Sequence, residues 1–171
     1  MDKGFFRKKI FNIEIVSKSL SDLNKMVEAI IYLRKKHPPY FSLTKKLKGV
    51  FVYPKLGYDN EFFPMEKVWV CELRTVRESS TIYLASLLVH EAVHLRQFES
   101  GIAKNTKKTE LDAYQVQKKF LSKAGDKISA QWIMEQYKEN WTRYHYKSSK
   151  QFFKPNKKFR IFLDRIGSFK K

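Results

Sequence analysis

A long apolar helix is predicted at residues 79–101, which read SSTIYLASLLVHEAVHLRQFESG. Ser79 and Ser80 are candidate N-cap residues, and Gly101 stands just past the end of the helix, where glycine is favoured. Between residues 82 and 95, apolar side chains cover almost the whole circumference and leave little polar face. A helix of this kind runs through the core of a domain. We therefore expect the rest of the chain to pack around it.

The same helix carries the pattern His-Glu-x-x-His, as His90, Glu91, Ala92, Val93 and His94. Four residues make about one helical turn, so the two imidazoles share a face and can bind one metal ion at about 2.0–2.1 Å from each ring nitrogen. Glu91 flanks that face, and from there its carboxylate can take a proton from an activated water. The alternative is that two core or surface histidines fall one turn apart by chance. The apolar surroundings favour the metal site, because buried imidazoles and carboxylates need partners that offset their desolvation.

A metal site of this type needs a third protein ligand, and its identity separates the known classes. The metzincin continuation requires Gly and then His at the positions that Gln97 and Ser100 occupy here, so that class is excluded. Glu99 lies about half a turn away from His90 around the helix and points away from the metal face. Glu110 begins the next predicted helix, and an antiparallel neighbour can direct a carboxylate at the preceding helix. Alternatively, Glu110 is an acidic residue that stabilises the first turn of its own helix.

Two residues compete with Glu110 for the role of third ligand. Asp112 lies about 200° around the predicted helix from Glu110. A capping box with Thr109 would give Asp112 a separate role. His145 is the other competitor, although it also fits a histidine that is packed or solvated near the end of an aromatic helix. We prefer Glu110 and keep Asp112 and His145 as alternatives.

Two segments of the chain resemble the gluzincin branch of the zinc metallopeptidases. Gluzincins pair His-Glu-x-x-His on one helix with a Glu on the next, and here residues 90–94 are followed by Glu-Leu-Asp-Ala at residues 110–113. The resemblance covers residues 68–121 and is nearest to minimal, single-domain gluzincins, because the intervening loop is short for thermolysin-like enzymes. It implies one Zn²⁺ per chain, held by His90, His94 and Glu110, with Glu91 as the general base. A zinc-dependent metallopeptidase that hydrolyses peptide bonds is the expected function.

The resemblance also implies a strand beside the substrate and a second donor for the oxyanion. We expect the predicted strand at residues 67–72 to line the cleft, as in zincins where an exposed sheet edge pairs with an extended peptide. The candidate oxyanion donors are Tyr114, Tyr144, His145 and Tyr146, and the sequence does not choose among them.

Other segments predict a helix and two strands before the apolar helix. Residues 21–36 have the apolar spacing of an amphipathic helix, with Ser21 as a possible N-cap and Pro38 just beyond its end. Residues 49–53 and 67–71 are short apolar runs typical of strands, and we expect them to form an antiparallel pair.

Two more helices are predicted after the apolar one. The first starts near Thr109, and the second spans residues 126–146 with a stripe of large apolar residues that we expect to be core. The stripe consists of Ile128, Trp132, Ile133, Tyr137, Trp141 and Tyr144. Trp69 is also expected in the core, and Cys71 is interpreted as a small buried hydrophobic residue and not as a ligand or nucleophile.

The predicted helices and strands place the chain in the α+β class, and its length indicates one domain with an appendage. It has 171 residues, of which 43% are hydrophobic, enough for one ordinary core. We expect a mainly helical, zincin-like domain with a small antiparallel sheet at residues 1–146, followed by a basic aromatic extension at residues 147–171.

The extension carries nine Lys or Arg, one Asp and five Phe, within a formal net charge of +18. This charge favours an anionic partner, either nucleic acid or an acidic surface. The alternative function is therefore a basic binding or assembly protein, nucleic-acid-associated or part of a virion, that retains a zincin scaffold.

The cysteine content and the apolar runs bear on the compartment. Cys71 is the only cysteine, so the chain has no internal disulfide framework. The basic start of the chain lacks a cleavage site of small residues, and the longest mainly apolar run, residues 82–89, is too short to span a membrane. A cytoplasmic protein is the expectation.

Overall fold

The computed structural model describes residues 4–53, 60–102 and 107–141, with the side chains of residues 139–141 left aside. The architecture is α+β, as expected. Five strands form one sheet: β1 (Phe6–Ile10), β2 (Ile13–Ser17), β3 (Gly49–Tyr53), β4 (Asn60–Phe63) and β5 (Val68–Glu72). The helices are α1 (Leu20–Lys36), α2 (Pro38–Phe41), α3 (Leu73–Glu78), α4 (Thr81–Glu99), α5 (Lys107–Lys123) and α6 (Lys127–Trp141), and Ser42–Lys46 form a 3-10 helix.

The sheet is mixed, with strand order β1-β2-β3-β5-β4. The pairs β1–β2 and β4–β5 are antiparallel, whereas β2–β3 and β3–β5 are parallel. The predicted antiparallel pairing of residues 49–53 with 67–71 is therefore wrong, since Val50 lies opposite Trp69 in a parallel register. The reason is β4, which lies between β3 and β5 in the chain and runs opposite to both. The chain therefore reverses twice, and β5 runs in the same direction as β3.

The sequence analysis predicts neither of the first two strands. The edge strand β1 has four exposed residues out of five, so it lacks the alternation of a half-buried strand. In β2, Ile13 and Ile15 are fully buried towards the helices, and Val16 is fully buried on the other face of the sheet.

One face of the sheet carries α1 and α4, and this interface is the main core. Alternate strand residues point into it, together with the buried faces of both helices. The expected central helix is confirmed: Ser80 Oγ accepts from the backbone N–H of Tyr83 at 3.0 Å, and Gly101 follows the helix with φ +75°. The helix over residues 21–36 is confirmed with a different N-cap, Ser19, whose hydroxyl accepts from the N–H of Asp22. Trp69 and Cys71 are fully buried, as expected.

The other face of the sheet carries a second, smaller apolar cluster. Its buried members are Val16, Phe51, Phe63, Val68 and Val70, and the partly buried rings of Phe5 and Tyr53 pack against them. The Phe5 and Phe51 ring centroids are 5.6 Å apart. Both faces of the central strands are therefore removed from water.

The last two helices correct two predictions. Thr109 and Asp112 lie inside α5, which begins at Lys107, so they do not form a capping box at its start. The stripe on α6 is only partly core: Ile133 and Tyr137 are buried, but Ile128 is 85% exposed and Trp132 is 47% exposed. The described part of α6 packs chiefly on α5, and a helix with one neighbouring helix buries a narrow stripe. The side chain of Trp141, Tyr144 and the extension at residues 147–171 lie outside the described residues.

No helix in the described residues is long and apolar enough to cross a membrane.

The first prediction concerns the ion pair that joins α1 to α3. Arg77 donates to both carboxylate oxygens of Asp22, from Nε to Oδ1 at 3.1 Å and from Nη2 to Oδ2 at 3.1 Å, and the Asp22 side chain is only 5% exposed. We expect Arg77→Ala to lower the free energy of unfolding measurably, because it leaves a buried carboxylate without its main donor. Arg74→Ala is the matched control, since Arg74 lies on the same helix in an exposed pair with Glu78 and should cost less than about 0.5 kcal/mol. Equal losses in chemical denaturation would contradict this.

The second prediction concerns His37, which ends α1 and is 8% exposed. Its ring packs on Phe120 at 5.0 Å between centroids, and its Nε2 lies 3.2 Å from the Tyr32 hydroxyl. Burial, and then the charge of Lys123, lower the pKa of His37 below its ordinary value of 6.5. The unfolded chain therefore binds this proton more tightly, and stability falls as the pH drops below about 6.5. His37→Gln should make the loss of stability between pH 7 and pH 5 shallower; an unchanged pH profile in denaturant titrations would refute this.

Candidate metal centre

The helix α4 places two imidazoles on one face in the core. His90 is 7% exposed and His94 is fully buried. Their Nε2 atoms are 3.0 Å apart, and the rings are nearly perpendicular, with an interplanar angle of 76°. The one-turn spacing of the sequence thus brings the same nitrogen of both rings to one point.

The first turn of α5 supplies a carboxylate to the same point. Glu110 Oε1 lies 3.4 Å from His94 Nε2, and Glu110 Oε2 lies 3.7 Å from His90 Nε2. Ligands of a tetrahedral ion with bonds of 2.0–2.1 Å are about 3.3 Å apart, so these separations are close to those of a coordination site. His90, His94 and Glu110 form a group that could hold a metal ion.

Gln97 determines which nitrogen of His94 carries the proton. Its Nε2 donates to the backbone carbonyl of Thr109 at 3.1 Å, so its Oε1 is the atom that faces His94 Nδ1, at 2.9 Å. An amide oxygen only accepts, and His94 Nδ1 is therefore the donor. The Nε2 lone pair of His94 is left to bind a metal ion.

Gln117 has the same effect on His90 through a longer chain of hydrogen bonds. Ser86 Oγ donates to the Tyr83 carbonyl at 2.7 Å, so it accepts from Gln117 Nε2 at 2.9 Å. This leaves Gln117 Oε1 to accept from His90 Nδ1, at 3.1 Å. Each histidine is thus held with Nδ1 protonated. Hydrogen-bond partners outside the coordination sphere hold metal-binding imidazoles in the same way. The donor set and its supporting hydrogen bonds fit a metal ion.

Two imidazoles lie beside the Glu110 carboxylate. Burial raises the pKa of this carboxyl group, but the charge and the hydrogen bonds of His94 and His90, in their protonated forms, outweigh burial and hold the pKa well below its ordinary value. When the two rings are neutral, a bound cation would supply the positive charge that favours the ionised carboxylate.

Glu91 lies beside the cluster on α4 and is 7% exposed. Burial raises the pKa of the Cys71 thiol, and the charges of Glu91 and Glu72 raise it further. Glu91 thus lies within electrostatic range of Cys71 on β5. Its role as general base stays a prediction.

The competing ligands lie elsewhere or outside the described residues. Asp112 is exposed and lines a surface cavity between α4 and α5 with Arg96 and Lys119, and it does not belong to the His90, His94 and Glu110 group. Glu99 points away from the cluster, as expected, and pairs with Lys46 and Lys67 at 2.9 and 2.8 Å. His145 lies outside the described residues.

Among the candidate oxyanion donors, the described residues include Tyr114. Its ring packs perpendicular to His90, with centroids 4.8 Å apart, and lies 5.6 Å from the ring of Tyr137. The Tyr137 hydroxyl donates to the Lys107 carbonyl at 3.2 Å. Burial and then the charge of Glu110 raise the pKa of Tyr137. Tyr144 and Tyr146 lie outside the described residues.

One expectation about the cleft needs correction. The strand at residues 67–72, now β5, is interior, between β3 and β4, so its backbone is already paired on both sides. The edge of the sheet on that side is β4, and it is β4 that has an unpaired side within the described sheet.

Gln97, Gln117 and Ser86 are the site residues that the sequence analysis missed. The available signal was spacing, because Gln97 follows His94 by three residues and Gln117 follows Glu110 by seven, so each lies on the face of its helix that carries the ligand. Glutamine is common on helix surfaces, and this spacing alone would not have distinguished them.

Comparisons with protein-family models, with curated proteins and with solved structures found no match for this chain.

The third prediction tests the hydrogen bond to His90. Gln117→Leu keeps the volume but removes the acceptor, and we expect it to weaken metal-ion binding by about 10- to 100-fold, measured by competition with a chelator and with Zn²⁺ as the probe ion. Gln117→Glu retains the acceptor and should stay within a few-fold of the parent. Gln115→Leu, at an exposed position of the same helix, is the control for the substitution itself. If Gln117→Leu binds zinc as tightly as the control does, the proposed role of this hydrogen bond is wrong.

Proposed function

We propose that the protein is a zinc-dependent metallopeptidase. The observation that carries the proposal is the convergence of His90 Nε2, His94 Nε2 and the Glu110 carboxylate, with both Nδ1 atoms committed to glutamine oxygens. The pattern of these residues along the chain resembles that of the gluzincins, which is the second support.

The donor set favours zinc among the common metals. Two imidazole nitrogens and one carboxylate are the ligands of catalytic zinc sites, which leave a fourth position for water or substrate. Calcium and magnesium prefer sites made of oxygen atoms. The chemistry that zinc supplies when bound is Lewis acidity, which favours attack of water on a polarised carbonyl near neutral pH.

Glu91 is proposed as the group that moves the proton. The water oxygen bonds to the carbonyl carbon of the substrate while Glu91 accepts the water proton, and Glu91 then passes this proton to the amide nitrogen as the C–N bond breaks. The products are a carboxylic acid and an amine, and no covalent bond to the protein forms. Glu91 is suited to this role because it directly follows a ligand on the same rigid helix, and its burial limits exchange of the proton with bulk water.

The fourth prediction concerns metal content, measured by elemental analysis of protein purified without chelators. The parent should carry about one zinc per chain, and His94→Ala and Glu110→Gln should lose it. Asp112→Asn is the matched control two residues away and should keep it. Full zinc in Glu110→Gln would remove Glu110 from the ligand set. A parent protein that takes up no zinc, even when zinc is supplied, would end the peptidase proposal.

The test of the reaction itself uses Glu91→Gln with labelled, denatured casein and a mixed peptide library as substrates. We expect this variant to keep its zinc and to lose hydrolysis by a factor of about 10² or more, the range of general acid–base contributions. Mass spectrometry should show new carboxyl and amino termini in the parent digests. Cleavage by Glu91→Gln at the parental rate would overturn its proposed role.

A further inference from the structure

The turn between β1 and β2 holds an exposed aromatic ring in a conformation that such residues rarely adopt. The turn consists of Phe11 and Asn12, and Phe11 has φ +55°. A positive φ is costly for a bulky side chain, and glycine or asparagine is the usual residue there. Asn12 secures the turn, because its Nδ2 donates to the carbonyls of Lys45 and Leu47. The surrounding structure thus imposes a strained backbone on Phe11.

The strain does not serve to bury the ring, because Phe11 is 42% exposed. The Arg34 guanidinium carbon lies 3.8 Å from the Phe11 ring centroid. Phe41 approaches edge-on, with centroids 5.4 Å apart and an interplanar angle of 75°. These three side chains form a layered aromatic and cationic surface, which we name the Phe11 stack.

The Phe11 stack lies near lysines that no described carboxylate pairs with, since Glu14 pairs with Arg7 and Glu99 pairs with Lys46 and Lys67. The sequence contains no Asp or Glu between residues 29 and 58. Lys35, Lys45 and Lys48 are all exposed, and Lys45 and Lys48 belong to the segment whose carbonyls bond Asn12 and Glu14. Among the described residues, these three lysines and Arg34 form no ion pair with a carboxylate.

We propose that the Phe11 stack and its lysines bind single-stranded nucleic acid. An exposed ring beside a guanidinium offers a surface on which an unpaired base stacks, and stacking tolerates any base. The surrounding lysines would contact the phosphates and make binding depend on salt. The proposal is independent of the metal centre and locates an anionic partner on the folded domain, whereas the sequence analysis assigned it to residues 147–171.

Two other anionic partners fit the Phe11 stack less well. A membrane interface would have to take the Arg34 guanidinium into the hydrocarbon along with the ring, since the two are 3.8 Å apart, and a buried guanidinium is costly there. Duplex nucleic acid offers phosphates, but its bases are already stacked on one another. Unpaired bases are the ligand that can use the ring.

The fifth prediction is tested on the full chain by fluorescence anisotropy with a labelled 20-nucleotide oligo-U or oligo-dT. Phe11→Gly should weaken binding by about tenfold or more. This variant leaves the charge unchanged, and glycine accommodates φ +55° readily, so thermal unfolding should show an intact fold. Trp132→Ala, at a ring of similar exposure on α6, is the control and should bind as the parent does.

A second pair of variants tests the charge. Arg34→Gln should weaken binding and reduce the salt slope by about one, whereas Lys118→Gln, an equal change of charge on α5, should have little effect. Zinc content should be unchanged in all four variants, which separates this proposal from the peptidase proposal.

Parental binding by Phe11→Gly, or equal losses from Arg34→Gln and Lys118→Gln, would overturn the nucleic-acid proposal. Phe11-dependent binding to phosphatidylserine vesicles without binding to the oligonucleotides would also overturn it, in favour of a membrane.

Discussion

The fold depends on how the buried polar groups of α4 are satisfied. His90, Glu91 and His94 lie in a helix that is otherwise part of the apolar core, and an unpaired polar group there would cost several kcal/mol. Gln97 and Gln117 meet this demand for the two imidazoles. Because Gln117 and Glu110 lie on one face of α5, the hydrogen bonds also determine which face of α5 packs on α4. The candidate metal centre and the helix packing are thus two consequences of one constraint.

The parts of the fold that could be predicted from the sequence are those with a local cause. The central helix, its serine cap and the glycine after it follow from positions within one segment, and so does the shared face of His90 and His94. The placement of Glu110 needed one further step, the antiparallel packing of the next helix. That step succeeded because the intervening loop is too short to allow many other arrangements.

The parts that could not be predicted depend on contacts between distant segments. The parallel pairing of β3 with β5 is set by β4, a strand whose short sequence carries no sign of its direction or its position at the edge. The exposure of Ile128 and Trp132 depends on how many neighbours α6 has, which their spacing cannot reveal. Gln97 and Gln117 were missed because an amide gains its role only when a particular histidine and a particular carbonyl lie on either side of it.

The hydrogen bond from Gln97 to the Thr109 carbonyl has a consequence for how the protein can be observed. Thr109 directly precedes Glu110, so the amide that orients His94 is anchored to the backbone beside the carboxylate. If α5 slides or separates from α4, Gln97 loses this anchor and His94 loses its tautomeric preference. The nitrogen chemical shifts of the His94 ring are therefore a spectroscopic reporter of helix docking, readable in the protein without any metal bound.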